Sequence, residues 1–172
     1  MTKILESVPN YSVGRDDEAV DKIVRPFKDN NDVKLLDYSA DPDHNRLVVT
    51  NVGSLEGLFQ ATLETIGVAI DLIDMNEHKG EHPRMGAVDV IPFTPVKNVT
   101  MEDAVDLAKR LAGQVAEDYD LPIYLYEEAA TSPERKNLAT IRKGEFEGFP
   151  EKIKKDGWKP DYGPDRVHPT AG

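Results

Sequence analysis

Arg46–Ile73 reads RLVVTNVGSLEGLFQATLETIGVAIDLI. Arg46–Val52 has the β-branched, apolar character of a strand. Gly53 ends it, and Ser54 supplies a side-chain oxygen suited to cap the first free N–H groups of a helix. Leu55, Leu58, Phe59, Thr62, Leu63, Ile66, Ile70 and Ile73 then mark one buried helical face. A strand passing directly into a long amphipathic helix implies helices layered on a sheet.

Upstream, SADPDHN (39–45) is a polar turn, and Val33–Tyr38 (VKLLDY) is a second strand. From Asp16, the apolar positions Ala19, Val20, Ile23, Val24 and Phe27 follow helical spacing behind an acidic first turn. Pro26 is expected to kink or end that helix near Arg25. Lys3–Val8 (KILESV) is a strand stopped by Pro9-Asn10, and Tyr11–Arg15 is a loop. Downstream, Val88–Phe93 (VDVIPF) is a strand whose Pro92 places it at an edge or a bulge. Thr100 and Asp103 have capping-box spacing and open a helix to about Asp118, with Val105, Ala108, Leu111, Ala112 and Val115 on its core face. Pro122–Tyr126 (PIYLY) reads as a fifth strand. Ser132-Pro133-Glu134 starts a helix that Gly144 stops. The tail beyond Phe146 is rich in Pro, Gly and charge, with one helical turn expected around Glu151–Lys155. The order is β-α-β-β-α-β, then α-β-α. Its first six elements match the split βαβ, or ferredoxin-like, arrangement, an α/β (α+β) class with helices packed on an open, mixed sheet. With no repeat and no linker, residues 1–172 are expected to form one domain.

The composition, 39% hydrophobic and 31% charged, fits a soluble globular chain. No apolar run reaches the ~20 residues of a membrane helix, and no signal-peptide core is evident, so a cytoplasmic location without membrane association is expected. The chain has no cysteine, which removes disulfides, thiolate nucleophiles and thiolate metal sites. A net charge of −11 argues against nucleic acid as a partner. Any anionic ligand would need local cations such as Arg135, Lys136, Arg142, Lys143, Lys152, Lys154 and Lys155, which read first as solvated helix faces.

Between the long helix and the strand at Val88 lies a polar connection, Asp74–Ala87, longer than the ~4–6 residues usual between elements. It holds His78 and His82 among Glu77, Lys79, Glu81 and Arg84. His78–His82 matches the H-x-x-E-H pattern of certain zinc proteases. That pattern binds metal from a helix, and here Gly80 lies inside it while Pro83 forces His82 away from helical backbone. The metal reading is therefore set aside in favour of His82 as an acid–base group, for which the near-neutral ordinary pKa of histidine suits it.

The chain also resembles a known family. Val8-Pro9-Asn10, Ser12, Gly14-Arg15, Asn45-Arg46, Leu72-Ile73-Asp74-Met75, His78, Gly80-Glu81-His82-Pro83-Arg84-Met85-Gly86-Ala87, Asp89, Pro92-Phe93, Tyr124-Leu125-Tyr126, Arg142, Gly144-Glu145, Trp158, Pro160-Asp161 and Gly163-Pro164 together resemble the N-terminal subdomain of glutamate formimidoyltransferases, from Glu6 to Gly172 without a gap. The resemblance implies that His82 is the catalytic histidine. It also implies that the segment after the W-x-P-D-[FY]-G-P signature contacts folate; here that is Gly163, Pro164, Asp165, Arg166, Val167, His168, Pro169, Thr170, Ala171 and Gly172. The implied reaction moves a formimidoyl group from N-formimidoyl-L-glutamate to N5 of tetrahydrofolate, in histidine degradation, with no metal. The resemblance further implies a homodimer.

Three features depart from the family pattern. The family's second subdomain, which closes the folate groove, would begin where this sequence ends, so a separate second-half subunit is a candidate partner. Ser39 stands where a second aspartate is usual after Asp37, with Asp41 or Asp43 as nearby substitutes. Val13 replaces an acidic residue. The alternative reading is a non-catalytic folate-binding half, or one subunit of a split transferase.

Overall fold

The computed structural model describes residues 1–172. Six strands, β1 (Ile4–Ser7), β2 (Asn10–Tyr11), β3 (Val33–Asp41), β4 (Arg46–Gly53), β5 (Val88–Val90) and β6 (Phe93–Lys97), form one sheet. Its helices are α1 (Asp17–Asp29), α2 (Leu55–Leu72), α3 (Met101–Tyr119), α4 (Leu138–Arg142) and α5 (Glu145–Lys152). β1 and β2 are two pieces of one row beside β4, interrupted at Val8-Pro9, and β5 and β6 are two pieces of the next row, interrupted at Ile91-Pro92. Across the sheet the rows run β3, β4, β1/β2, β5/β6, which is the split βαβ order expected from the sequence. Every pairing is antiparallel, whereas a mixed sheet was expected.

The missing parallel member is Pro122–Tyr126, which is not a strand. Its one bridge joins Ile123 to Tyr162, and its backbone bonds run to the tail. Ile123 N–H donates to the Tyr162 carbonyl at 2.9 Å, and Leu125 N–H donates to Asp161 Oδ2 at 2.8 Å. Pro122 offers no donor. The tail thus satisfies polar groups that a sheet neighbour would otherwise have taken.

The burial of β4 alternates, with Leu47, Val49 and Asn51 inward beneath the helices and Val48, Thr50 and Val52 half-buried on the opposite face. α2 presses Leu58, Phe59, Ala61, Ile66 and Ala69 into a core shared with Leu5, Tyr11, Ile23, Val24 and Phe27. Both expected caps form: Ser54 Oγ accepts from Gly57 N–H at 3.0 Å, and Thr100 and Asp103 complete a reciprocal capping box. α1 runs through Pro26 to Asp29, so the expected stop near Arg25 is displaced by a turn. The missing Pro26 N–H costs the helix one backbone bond, and the proline ring is buried in the core. The single helix expected from Ser132 to Gly144 is broken into a 3-10 turn, Pro133–Arg135, and α4. The break falls at Asn137, whose side chain caps α4 through Ala139 N–H at 2.9 Å. Gly144, with φ of 89°, ends the segment as expected, and the helical turn foreseen near Glu151 begins earlier, as α5.

Candidate active site

The connection from α2 to β5 is clamped from two sides. On one side is the β3–β4 turn. Asn45, with φ of 52°, accepts from Gly14 N–H through Oδ1 at 2.8 Å and donates through Nδ2 to the Lys79 carbonyl at 3.0 Å. A Cβ on Gly80 would lie 2.2 Å from the His44 carbonyl oxygen, so only glycine allows the loop to lie this close to the turn. On the other side is the end of the tail. Met75 N–H donates to the Thr170 carbonyl at 2.7 Å, and Ala87 N–H donates to the Ala171 carbonyl at 2.9 Å. His168 Nδ1 accepts from the N–H groups of Thr170 and Ala171, tightening the last turn.

Within this clamp the two histidines differ sharply. His78 uses both ring nitrogens in the scaffold. Nε2 meets the Asn45 carbonyl at 2.9 Å and must donate to it, while Nδ1 accepts from Arg84 Nε at 3.0 Å. Burial, reinforced by the Arg84 and Arg15 charges, holds its pKa below the ordinary histidine value. Arg84, 4% exposed, forms a forked pair with Glu147 at 2.8 and 2.7 Å and reaches Glu145 at 3.3 Å, so the loop is bolted to α5. The same bond draws the Glu147 carboxyl down to about 2.

His82 is 7% exposed and has no such commitments. Its Nε2 stands 3.5 Å from Asp89 Oδ2, and its Nδ1 stands 3.5 Å from an Arg46 guanidinium nitrogen. Asp89, at the start of β5, is itself buried and fixed. Oδ1 accepts from Met85 N–H at 2.7 Å, and Oδ2 accepts from Arg142 Nε at 3.0 Å and Nη2 at 2.5 Å. Asp89 and Arg142 border a cavity of about 420 Å³ whose wall is mostly apolar side chains of α3 and residues 121–126, and which also touches Ala171 and Gly172.

The ten tail residues divide. Thr170, Ala171 and Gly172 reach the His82 loop, and a Cβ on Gly86 would lie 2.6 Å from the Ala171 carbonyl oxygen. Gly163 packs against Leu121, Arg166 pairs with Asp120 and Asp165 with Lys159, all of them bound near the end of α3 or within the tail. No bond links Pro164 or Val167 to the loop; Pro169 accepts from Asn76 through its carbonyl at 2.8 Å. No group of three histidine or carboxylate side chains converges as a metal cage would. Ser39 lies exposed in β3, paired with Val48, and Asp41 spends both oxygens on its own turn, accepting from Asp43 N–H, His44 N–H and the His44 ring.

Asp89 and Arg46 are the charged groups beside His82, with Arg142 bonded behind Asp89, and none of the three has a local sequence signal that marks it for the site. Arg142 was read as part of a solvated face, along with Arg135 and Lys152. Instead, Arg135 is buried against Asp161 at 2.9 Å, and the Lys152 ammonium caps carbonyls of α4. The nearest to such a signal is Asp89 as an acidic residue inside an otherwise apolar strand.

The family model for the formiminotransferase domain, N-terminal subdomain, matches residues 4–172. The chain is 47% identical over its whole length to a glutamate formimidoyltransferase of Streptococcus pyogenes, covering 58% of that protein. It is 45% identical over 166 residues to a glutamate formimidoyltransferase of Thermoplasma acidophilum, covering 55% of it. Against the formimidoyltransferase-cyclodeaminase of Mus musculus the figures are 46% over 172 residues and 32% of that protein. The chain thus spans little more than half the length of the shorter of these relatives. A clamped histidine loop, the split βαβ sheet beneath it and a match across almost every residue lead to one assignment: this chain belongs to the formiminotransferase N-terminal subdomain family.

Proposed function

We propose that the chain supplies the histidine-bearing half of a glutamate formimidoyltransferase, acting on N-formimidoyl-L-glutamate and tetrahydrofolate. One observation carries the choice of residue: of the two histidines in the clamped loop, His78 has both nitrogens bound by the scaffold, whereas His82 meets neighbours only at 3.5 Å. A ring left loosely partnered in a rigid frame can exchange a proton with a substrate.

The reaction needs one proton moved twice. N5 of tetrahydrofolate attacks the amidine carbon, forming the N5–C bond and a tetrahedral intermediate. His82 takes the proton that N5 loses and delivers it to the glutamate nitrogen as the C–N bond breaks. Glutamate leaves, and the formimidoyl group stays on N5. Arg46, beside the ring, is a cation suited to a substrate carboxylate. The cavity next to Asp89 shares Ala171 and Gly172 with the tail segment implied to contact folate, which supports a folate contact there, away from the reacting N5. The length of the relatives supports a second half that closes over the site, within the same polypeptide or as a separate subunit.

The test is an assay of 5-formimidoyltetrahydrofolate formation, with the chain alone and with the C-terminal half of a relative added. Turnover that needs His82 is the expected result. Folate binding by the chain, with no turnover in either arm, favours the second reading, a non-catalytic folate-binding half; the coverage of the relatives is the observation on its side.

A further inference from the structure

We propose that Asp89 is a positioning residue that fixes which nitrogen of His82 carries the proton, and that Arg142, held in place by Lys152, keeps the Asp89 carboxylate beside the ring. Its use in steering a proton rests on the transfer reaction proposed above; the arrangement of side chains does not.

Two independent contacts select the same tautomer. Nε2 makes no hydrogen bond but lies 3.5 Å from Asp89 Oδ2, an acceptor only, so a proton on Nε2 is the electrostatically favoured state. Nδ1 faces the Arg46 guanidinium, a donor only, so the favourable state leaves a lone pair on Nδ1. The ring is thereby prepared to accept a proton at Nδ1, on the side of β4. Asp89 cannot swing away, because its carboxylate is 1% exposed and tied to Met85 N–H on one oxygen and to Arg142 on the other. The bond to Met85 sets the carboxylate within the very loop that carries His82.

Arg142 is in turn fixed from behind. It is the last residue of α4, and the Lys152 ammonium donates to the Thr140, Ile141 and Lys143 carbonyls at that helix end, at 2.8, 2.5 and 3.1 Å. Lys152 itself lies 4.2 Å from the centre of the Trp158 ring. A chain of contacts thus runs from Trp158 through Lys152, α4 and Arg142 to Asp89 and His82. The charged groups facing the ring are Arg46 from β4 and Asp89 from β5, with Arg142 behind Asp89. Tyr126 stands near the same pair, its phenol pushed up to about 12 by burial, and remains un-ionised.

Neutralising Asp89 removes the acceptor that faces Nε2, whereas neutralising Arg142 frees that acceptor to move. The experiment is proton–nitrogen NMR of the histidine rings in the full labelled chain, with His82 signals assigned from H82Q. In the parent at neutral pH the ring is expected as the Nε2–H form. In D89N the Nδ1–H form is expected to become populated, and in R142Q the preference for Nε2–H is expected to weaken. An Nδ1–H ring in the parent, or a ring that stays wholly Nε2–H in either variant, overturns the proposal. Should D89N fail to fold, the parent tautomer and R142Q still decide. This readout needs no turnover, so failure of the transfer reaction and failure of the Asp89 assignment are separable. Where turnover is present, D89N lowers kcat with little change in KM.

Discussion

His78 and His82 are four positions apart and are put to opposite uses, and the difference comes from their partners. His78 donates to one backbone carbonyl and accepts from one guanidinium, so it works as a neutral rivet between the loop, the β3–β4 turn and Arg84. Its lowered pKa has a consequence for stability. As pH falls below the ordinary histidine value, about 6.5, the unfolded chain binds a proton there that the folded chain refuses. Its contribution is therefore complete above that value and is lost as pH falls toward the lowered folded value. Denaturant melts across that range should show the parent losing more stability than H78Q, and equal slopes would refute the rivet. His82 is expected to behave differently: H82A should lose about 10²–10⁴-fold in turnover while its melting curve stays close to the parent's. The sequence alone separated the two only in part. Gly80 and Pro83 excluded a metal-binding helix, and the family resemblance pointed to His82. The local spacing held no trace of Asn45, the partner that consumes His78, because that contact spans thirty-three positions.

At the scale of elements, the site depends on how closely backbone segments approach one another. The loop lies between the β3–β4 turn and the end of the tail, with Gly80 against one and Gly86 against the other. G86A would push a methyl group into the Ala171 carbonyl and should cost about 1–3 kcal/mol, with faster hydrogen exchange at Met75 and Ala87. A melt within error of the parent would show that the tail does not bear on the loop. Arg84 ties the same loop to α5 through Glu147. That carboxyl, drawn from 4.5 to about 2, contributes stability that is present above its ordinary value and is lost as pH falls from there toward about 2. E147Q should therefore flatten the acid melt over that interval. Helices and caps were the legible part of the fold, because their signals are local: Ser54, Thr100 with Asp103, and Gly144 act where the sequence put them. Pro122–Tyr126 was misread because its apolar pattern suits a strand, while its bonding was decided by Asp161 and Tyr162 in the distant tail.

In the whole molecule, one sheet face is covered by helices, and Val48, Thr50 and Val52 on the other face are half-buried. The order of the first six elements made the row order of the sheet predictable, since the split βαβ pattern leaves few alternatives. What sequence could not supply was the use made of the basic residues after residue 130. Arg135, Arg142 and Lys152 look like a solvated cationic face, yet each is spent on a buried or half-buried partner found only after folding. The remaining length of the relatives supports the proposal that activity requires a second half over this one. The most direct test of the central claim is the rate of 5-formimidoyltetrahydrofolate formation from N-formimidoyl-L-glutamate and tetrahydrofolate. It is measured for the parent and for H82A, each with the C-terminal half of a relative supplied. Turnover by the parent and a rate about 10²-fold or more lower for H82A is the predicted result; equal rates in the two proteins would contradict it.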